Sequence, residues 1–282
     1  MIVIPAKVKD RLTTGIKKYQ PVLVTAKSRD INESDTVTII TAILSDVFGF
    51  DKFLEITAEY AIRGTFVDLA IKLGGTLQIL IEVKAIGLGL KDSFVKQAID
   101  YAANQGIEWV VLSNGVTWQI YKVSFSKPIS FDLILEIDFL SLNPRNPDHL
   151  ENLYLLTREG IGKSILEKYH AQKQALSRFF IGAVILSNGV LTEIRKELRK
   201  ISPDVKIDTE QIKNVLVQEV LKRDVLEGEK ADEARHKIEK MTKKLTNKKN
   251  PPDVRQANNL NESITTTDKA NSPTVAQPLN KS

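Results

Sequence analysis

The chain has 282 residues, 42% of them hydrophobic and 27% charged. That is enough apolar material for one large domain, or a core domain with an appendage, and excludes a wholly disordered or fibrous protein. The net charge of +5 is unevenly placed: residues 1–194 hold 21 basic and 21 acidic residues, 195–250 hold 16 and 11, and 251–282 hold 3 of each. Cysteine is absent and His149, His170 and His236 are scattered, which removes disulfides, thiol catalysis and Cys-containing zinc sites and suggests no histidine metal cluster.

The amino-terminal apolar run is too short for a signal peptide, and no stretch approaches a membrane span of roughly 20 apolar residues. A cytoplasmic protein is the expectation. Residues 33–49 place Val37, Ile40, Leu44 and Val47 at helical spacing, with acids at the start and Gly49 at the end, so a first helix is predicted there. Period-two alternation then predicts three strands over 53–62, 66–73 and 77–83, separated by Arg63-Gly64 and Gly74-Gly75. A helix over about 91–104 follows, then strands 108–112 and 116–123 around Ser113-Asn114-Gly115, where Asn-Gly is a strong hairpin signal. The order predicts an α/β sandwich, with 131–142 as an edge strand.

Asn143-Pro-Arg-Asn-Pro147 reads as a boundary. The expected division is a core domain over 1–145, a helical extension over 146–249 and a disordered tail over 250–282, rich in Asn, Ser, Thr, Pro and Gln. Helices are predicted over 147–156, 163–186, 190–200 and 209 to about 244. Gly160-Ile-Gly-Lys163-Ser164 has the tail of a phosphate-binding loop, but Thr157 stands where its first glycine belongs, and a helix start is the expectation. The basic stretch 195–250 lacks aromatic residues. It therefore offers phosphate neutralisation without base stacking, or simply a solvated amphipathic face.

Three ionisable residues interrupt otherwise apolar strands: Asp68 in Phe-Val-Asp-Leu-Ala-Ile, and Glu82 and Lys84 in Leu-Ile-Glu-Val-Lys-Ala. Charges on buried strands are costly unless paired or metal-bound. Alternation puts Val67, Leu69, Ile71 and Leu73 on one face of the second strand, and Leu77, Ile79, Ile81 and Val83 on one face of the third. If those faces join one core, Asp68, Glu82 and Lys84 share the opposite face. That requires an odd-length turn, and a three-residue Gly74-Gly75-Thr76 loop pairing Leu73 with Leu77 is expected. Two carboxylates at one spot suit Mg²⁺ or Mn²⁺, and a neighbouring lysine suits metal-assisted phosphodiester hydrolysis. The same spacing also fits an ion pair among strand residues.

These residues resemble the PD-(D/E)XK nuclease superfamily, and within it the nuclease domain at the start of type I restriction enzyme R subunits. The resemblance rests on Asn32-Glu33-Ser-Asp-Thr, Arg-Gly-Thr-Phe-Val-Asp68, Ile-Glu82-Val-Lys84, Gln97 and Tyr101 in Gln-Ala-Ile-Asp-Tyr, and Leu-Ser-Asn-Gly-Val-Thr-Trp-Gln-Ile-Tyr. It implies a restriction-endonuclease-like mixed sheet flanked by helices and a Mg²⁺-dependent endodeoxyribonuclease of low intrinsic sequence specificity. Asp68 and Glu82 would hold the metal, Lys84 would serve the attacking water, and Glu33, Gln97 and Tyr101 would support the site. DNA is the implied partner, with other restriction-system subunits or a second copy as further candidates. Val67 stands in place of the superfamily's proline. The alternative is a nucleic-acid-binding or assembly module that keeps the fold without catalysis.

Overall fold

The computed structural model describes residues 2–62, 65–125 and 128–249. They form two compact units, Met1–Leu176 and Ser177 onward. The tail expected over 250–282 and the Arg63-Gly64 turn lie outside the described residues.

The first unit is built on a six-stranded sheet in chain order: β1 (Ile56–Ile62), β2 (Thr65–Leu73), β3 (Thr76–Val83), β4 (Trp109–Ser113), β5 (Thr117–Ser124) and β6 (Ser130–Asp138). Neighbouring strands are antiparallel except β3 and β4, which are parallel and joined by the crossover helix α3 (Asp92–Gln105). Helices cover both faces. On one side α1 (Ala6–Ser28) and α2 (Glu33–Asp46) contribute Leu12, Ile16, Leu23, Ile40 and Ile43 to a core with Leu69, Ile71, Ile79, Ile81 and Trp118. On the other, Val95, Ala98, Ile99 and Ala102 of α3 pack on Ala70, Leu80, Val110 and Leu112. Each fully buried Leu or Ile contributes about 1.5–3 kcal/mol, so this alternation fixes which way every neighbouring polar side chain points.

The turn between β2 and β3 differs from expectation. It has two residues, Gly74 and Gly75, with φ of 56° and 79°, and pairs Leu73 with Thr76 and Lys72 with Leu77. Left alone, that register would separate Asp68 from Glu82. A β-bulge at Ile71/Lys72 then shifts the pairing to Ile71 with Ile79 and Leu69 with Ile81, taking up Gln78 as the extra residue and bringing Asp68 level with Glu82. Two expectations about faces also change. Beyond the bulge Leu77 packs with the α3-side core, not with Ile79. Val67 and its partner Tyr60 likewise belong to that side, whereas Leu69 belongs to the other. The change of face falls at Asp68 and at Glu59, which lies across from it with a left-handed φ of 48°.

Other boundaries move for local reasons. Phe53 and Leu54 are not in a strand: the Asp51 carboxylate accepts both of their N–H groups, at 2.9 and 2.8 Å, and forms a turn. The core does not end at 145. Helices α4 (Pro147–Tyr154), α5 (Arg158–Gly162) and α6 (Ile165–Ala175) bury Leu150, Leu153, Tyr154, Ile161 and Leu166 in the α1/α2-side core, so the first unit extends to Leu176. The glycine-lysine segment is indeed a helix start: Thr157 caps α5, its Oγ accepting the Gly160 N–H at 3.0 Å.

The two long helices expected over 163–186 and 209–244 are interrupted, the first of them where the first unit ends. The first breaks at Leu176, and Ser177 caps α7 (Arg178–Ile185). The second becomes α9 (Thr209–Val215), a π turn over 216–220, α10 (Arg223–Leu226) and α11 (Glu229–Lys249), with Gly228 at φ 93° before the last. Between them α8 (Asn188–Ile201) is sharply amphipathic and buries Leu191. Many of its charges are spent locally, as in Lys196–Glu193 and Lys200–Glu197 at 2.7 and 2.6 Å. Among the described residues no helix is long and apolar enough to cross a membrane.

Candidate active site

The sheet and α2 bring four of the sequence-selected residues together. Asp68 lies within β2, Glu82 near the end of β3, Lys84 just past it, and Glu33 in the first turn of α2. Lys84 Nζ donates to Glu82 Oε1 at 2.8 Å and to its neighbour's carbonyl, Val83 O, at 2.8 Å, and it approaches Glu33 Oε2 at 3.5 Å. Asp68 Oδ2 accepts the Val83 N–H at 2.6 Å. The group thus sits at the carboxyl end of β3, one of the two parallel strands, the end at which open α/β sheets place their ligands.

Burial matters here. The Glu82 and Lys84 side chains are only 10% and 16% exposed, whereas Glu33 is 48% exposed. Burial pushes the Asp68 carboxyl above the usual range; the Val83 N–H and the Lys84 charge pull it back, and the Glu33 and Glu59 charges add to the push. Glu82 is raised as well, first by burial and then by the charge of Asp68, against the pull of its Lys84 hydrogen bond. For Lys84 burial works downward, but the Glu82 hydrogen bond and the charges of Glu82, Glu33 and Asp68 outweigh it and hold the ammonium above its ordinary value. One lysine therefore only partly relieves two crowded carboxylates, a situation that a divalent cation would relieve further.

The donor set fits such an ion. Asp68 Oδ1 and Glu82 Oε2 form no protein hydrogen bond among the described residues. Two carboxylates suit Mg²⁺, which dehydrates reluctantly and is usually bound through one or two of them. Among the described residues no group of three or more His, Asp or Glu side chains gathers as a metal cage.

The remaining selected residues lie on α3. Gln97 Nε2 donates to Tyr101 Oη at 2.6 Å, one helical turn away. They hydrogen-bond each other and none of the four residues above. Sequence reasoning passed over Asn114, a buried amide whose only sequence signal was the Asn-Gly dipeptide. Glu59 stands on β1 between the residues paired with Leu69 and Val67, and its charge adds to the push on the Asp68 carboxyl.

A mixed α/β sheet between helices, with two acids and a lysine gathered at its parallel pair, defines a nuclease-like α/β domain. Residues 40–137 match the family described as type I restriction enzyme R protein N terminus. That match, over 98 of the 282 residues, supports a restriction-system nuclease-like domain; the matched segment contains Asp68, Glu82, Lys84, Gln97 and Tyr101, while Glu33 lies just before it. Comparisons with curated proteins and with solved structures returned no match.

Proposed function

We propose that the protein is a Mg²⁺-dependent endodeoxyribonuclease that hydrolyses DNA phosphodiester bonds with little sequence preference of its own, in a restriction or DNA-defence setting. The observation that carries the reading is the bulge-corrected register that sets Asp68 and Glu82 on one face, with Lys84 bonded between acids. Asp68 and Glu82 are the residues that would hold the ion, each through an oxygen free of protein hydrogen bonds. When bound, Mg²⁺ supplies Lewis-acid polarisation of the phosphate and a more acidic water.

The chain's own groups do the rest. Lys84 keeps a donor beside the two acids, where it orients the attacking water and offsets charge developing on the phosphate. Glu33 holds that amine from the α2 side. Gln97 and Tyr101, an amide and a phenol fixed to each other, offer contacts to the DNA backbone and carry no base readout. The first 194 residues carry no net charge. Sequence-independent affinity therefore falls to the basic residues of 195–250, or to other restriction-system subunits.

The test is nicking of supercoiled plasmid with Mg²⁺ or Mn²⁺, with Asp68→Asn and Lys84→Met as comparisons once all three proteins are shown to be folded. Cleavage by the wild type alone is the expected result. Absence of cleavage in every metal, with DNA binding retained, would replace this reading by a non-catalytic binding module.

A further inference from the structure

The turn Ser113-Asn114-Gly115 carries more bonds than a hairpin needs. Ser113 Oγ donates to Thr117 O at 2.9 Å and accepts the Gly115 N–H at 3.0 Å. Asn114 Oδ1 accepts the N–H groups of Val116 and Thr117 at 3.1 and 2.7 Å. These close the turn. The remaining group, Asn114 Nδ2, reaches out of it and donates to Leu88 O at 2.8 Å, 26 residues away. Two N–H donors on one side of the amide and a carbonyl on the other leave a single sensible orientation for it. Asn114 is 7% exposed, and its bond to the Val116 N–H is buried, whereas the bond to Leu88 O is part-buried.

The residue before it matters equally. Ser113 O accepts the Lys84 N–H at 2.9 Å, extending the parallel β3–β4 ladder by one bond. Consecutive residues of one rigid turn therefore hold both ends of segment 84–88, the segment that begins with the lysine of the site. Between those ends Ile86 is buried, 1% exposed, and a Cβ added at Gly87 would sit 2.0 Å from Asp30 Oδ1.

The same turn also seats on α2. At Gly115, with φ of 83°, an added Cβ would lie 3.3, 3.7 and 3.9 Å from atoms of Leu23, Thr36 and Ile40. Thr36 and Ile40 lie one and two turns along the helix that begins with Glu33. The turn thus sets the exit of β3 against the helix that supplies the second acidic contact to Lys84.

We propose that Asn114 is a positioning residue for Lys84, acting by tying the 84–88 segment to the β4–β5 turn through its bond to Leu88 O. The catalytic consequence rests on the nuclease reading above; the tie itself does not. Misplacing a reacting group by about 1 Å can cost up to about 10²-fold in rate, and loss of one of the two ties is expected to cost about tenfold.

The test uses the full chain carrying Asn114→Asp, which keeps the acceptor oxygen that closes the turn and replaces the donor to Leu88 O by a carboxylate oxygen that repels that carbonyl. Asn114→Ser, whose hydroxyl can still close the turn but cannot reach Leu88, guards against misfolding of the first. Three readouts are compared with wild type: amide hydrogen exchange, labelling of the Lys84 amine followed by mass spectrometry, and kcat and KM for plasmid nicking. The expected result is faster exchange confined to 85–88, Lys84 labelling several-fold faster, and kcat about tenfold lower at unchanged KM. Unchanged exchange and labelling in both variants would overturn the proposal, as would faster exchange with an unchanged kcat. If the wild type does not cleave DNA, the nuclease reading falls while exchange and labelling still decide whether Asn114 positions Lys84.

Discussion

Replacing Lys84 by methionine tests the electrostatic core of the site. Methionine keeps the aliphatic stem and removes the ammonium, leaving Glu82 and Asp68 facing each other without a counter-charge. Unit charges about 4 Å apart at an effective dielectric of about 20 attract by ~4 kcal/mol, and losing one partner of a buried pair costs about 3–5 kcal/mol. Because 10% and 16% of the two side chains remain exposed, the low end applies, about 3 kcal/mol. At about 2–4 °C per kcal/mol for domains of this size, Tm in EDTA should fall by roughly 6–12 °C. Adding Glu82→Gln in the same chain removes one of the stranded charges and should recover about 2 kcal/mol of that loss. Neither protein should cleave DNA. Urea unfolding with a circular dichroism readout, on wild type, both single variants and the double variant, closes the cycle. A Lys84→Met variant within about 0.5 kcal/mol of wild type would refute the reasoning, because it would mean that the lysine is solvated and contributes no more than a surface ion pair.

Two other expectations follow from the same geometry. Asp68 has a raised pKa, with burial as the leading cause, so its carboxyl binds a proton more tightly folded than unfolded. It therefore favours folding below its unfolded pKa, and that contribution is lost as pH rises through the folded value. Asp68→Asn should accordingly be more stable than wild type at pH 7–8 in EDTA, with the gap closing as the pH falls through the folded pKa; a gap that does not change with pH would show that Asp68 is well hydrated. Gly160→Ala should destabilise the first unit by about 3 kcal/mol, since its Cβ would stand 2.1 Å from the backbone oxygen of Tyr154; thermal melts give the shift, and a loss below about 1 kcal/mol would show that α5 moves aside easily.

Much of this protein is written locally. Alternation along 66–73 and 77–83, helical spacing over 37–47 and the Asn-Gly turn are properties of neighbouring residues, and they locate β2, β3, α2 and the β4–β5 hairpin within a few positions. Asp68, Glu82 and Lys84 were legible for the same reason: charges that interrupt apolar strands stand out against the period of the strand. The helix α1 was equally readable in principle, since Val8, Leu12, Ile16, Tyr19 and Leu23 recur at intervals of three and four, but Pro5 and Pro21 at its start and interior make the stretch look broken. A proline is tolerated where tertiary packing holds the helix on both sides of it.

Only the folded chain decides what depends on residues far apart. Local alternation demanded an odd turn; the sheet instead uses a two-residue turn and recovers the shared face through a bulge at Gln78, because burial of Ile79 and Ile81 beside Ile71 and Leu69 outweighs the regularity of the ladder. The unit ends at Leu176 and not at the proline-rich break, because Leu150, Leu153 and Tyr154 bury in a core that 1–145 leaves uncovered. Asn114 looked like a turn residue because nothing within ten positions shows that its amide meets Leu88. Period and propensity are fixed by neighbours along the chain; register, boundary and positioning are fixed by which distant surfaces lose water together, and that is settled only when the whole unit packs.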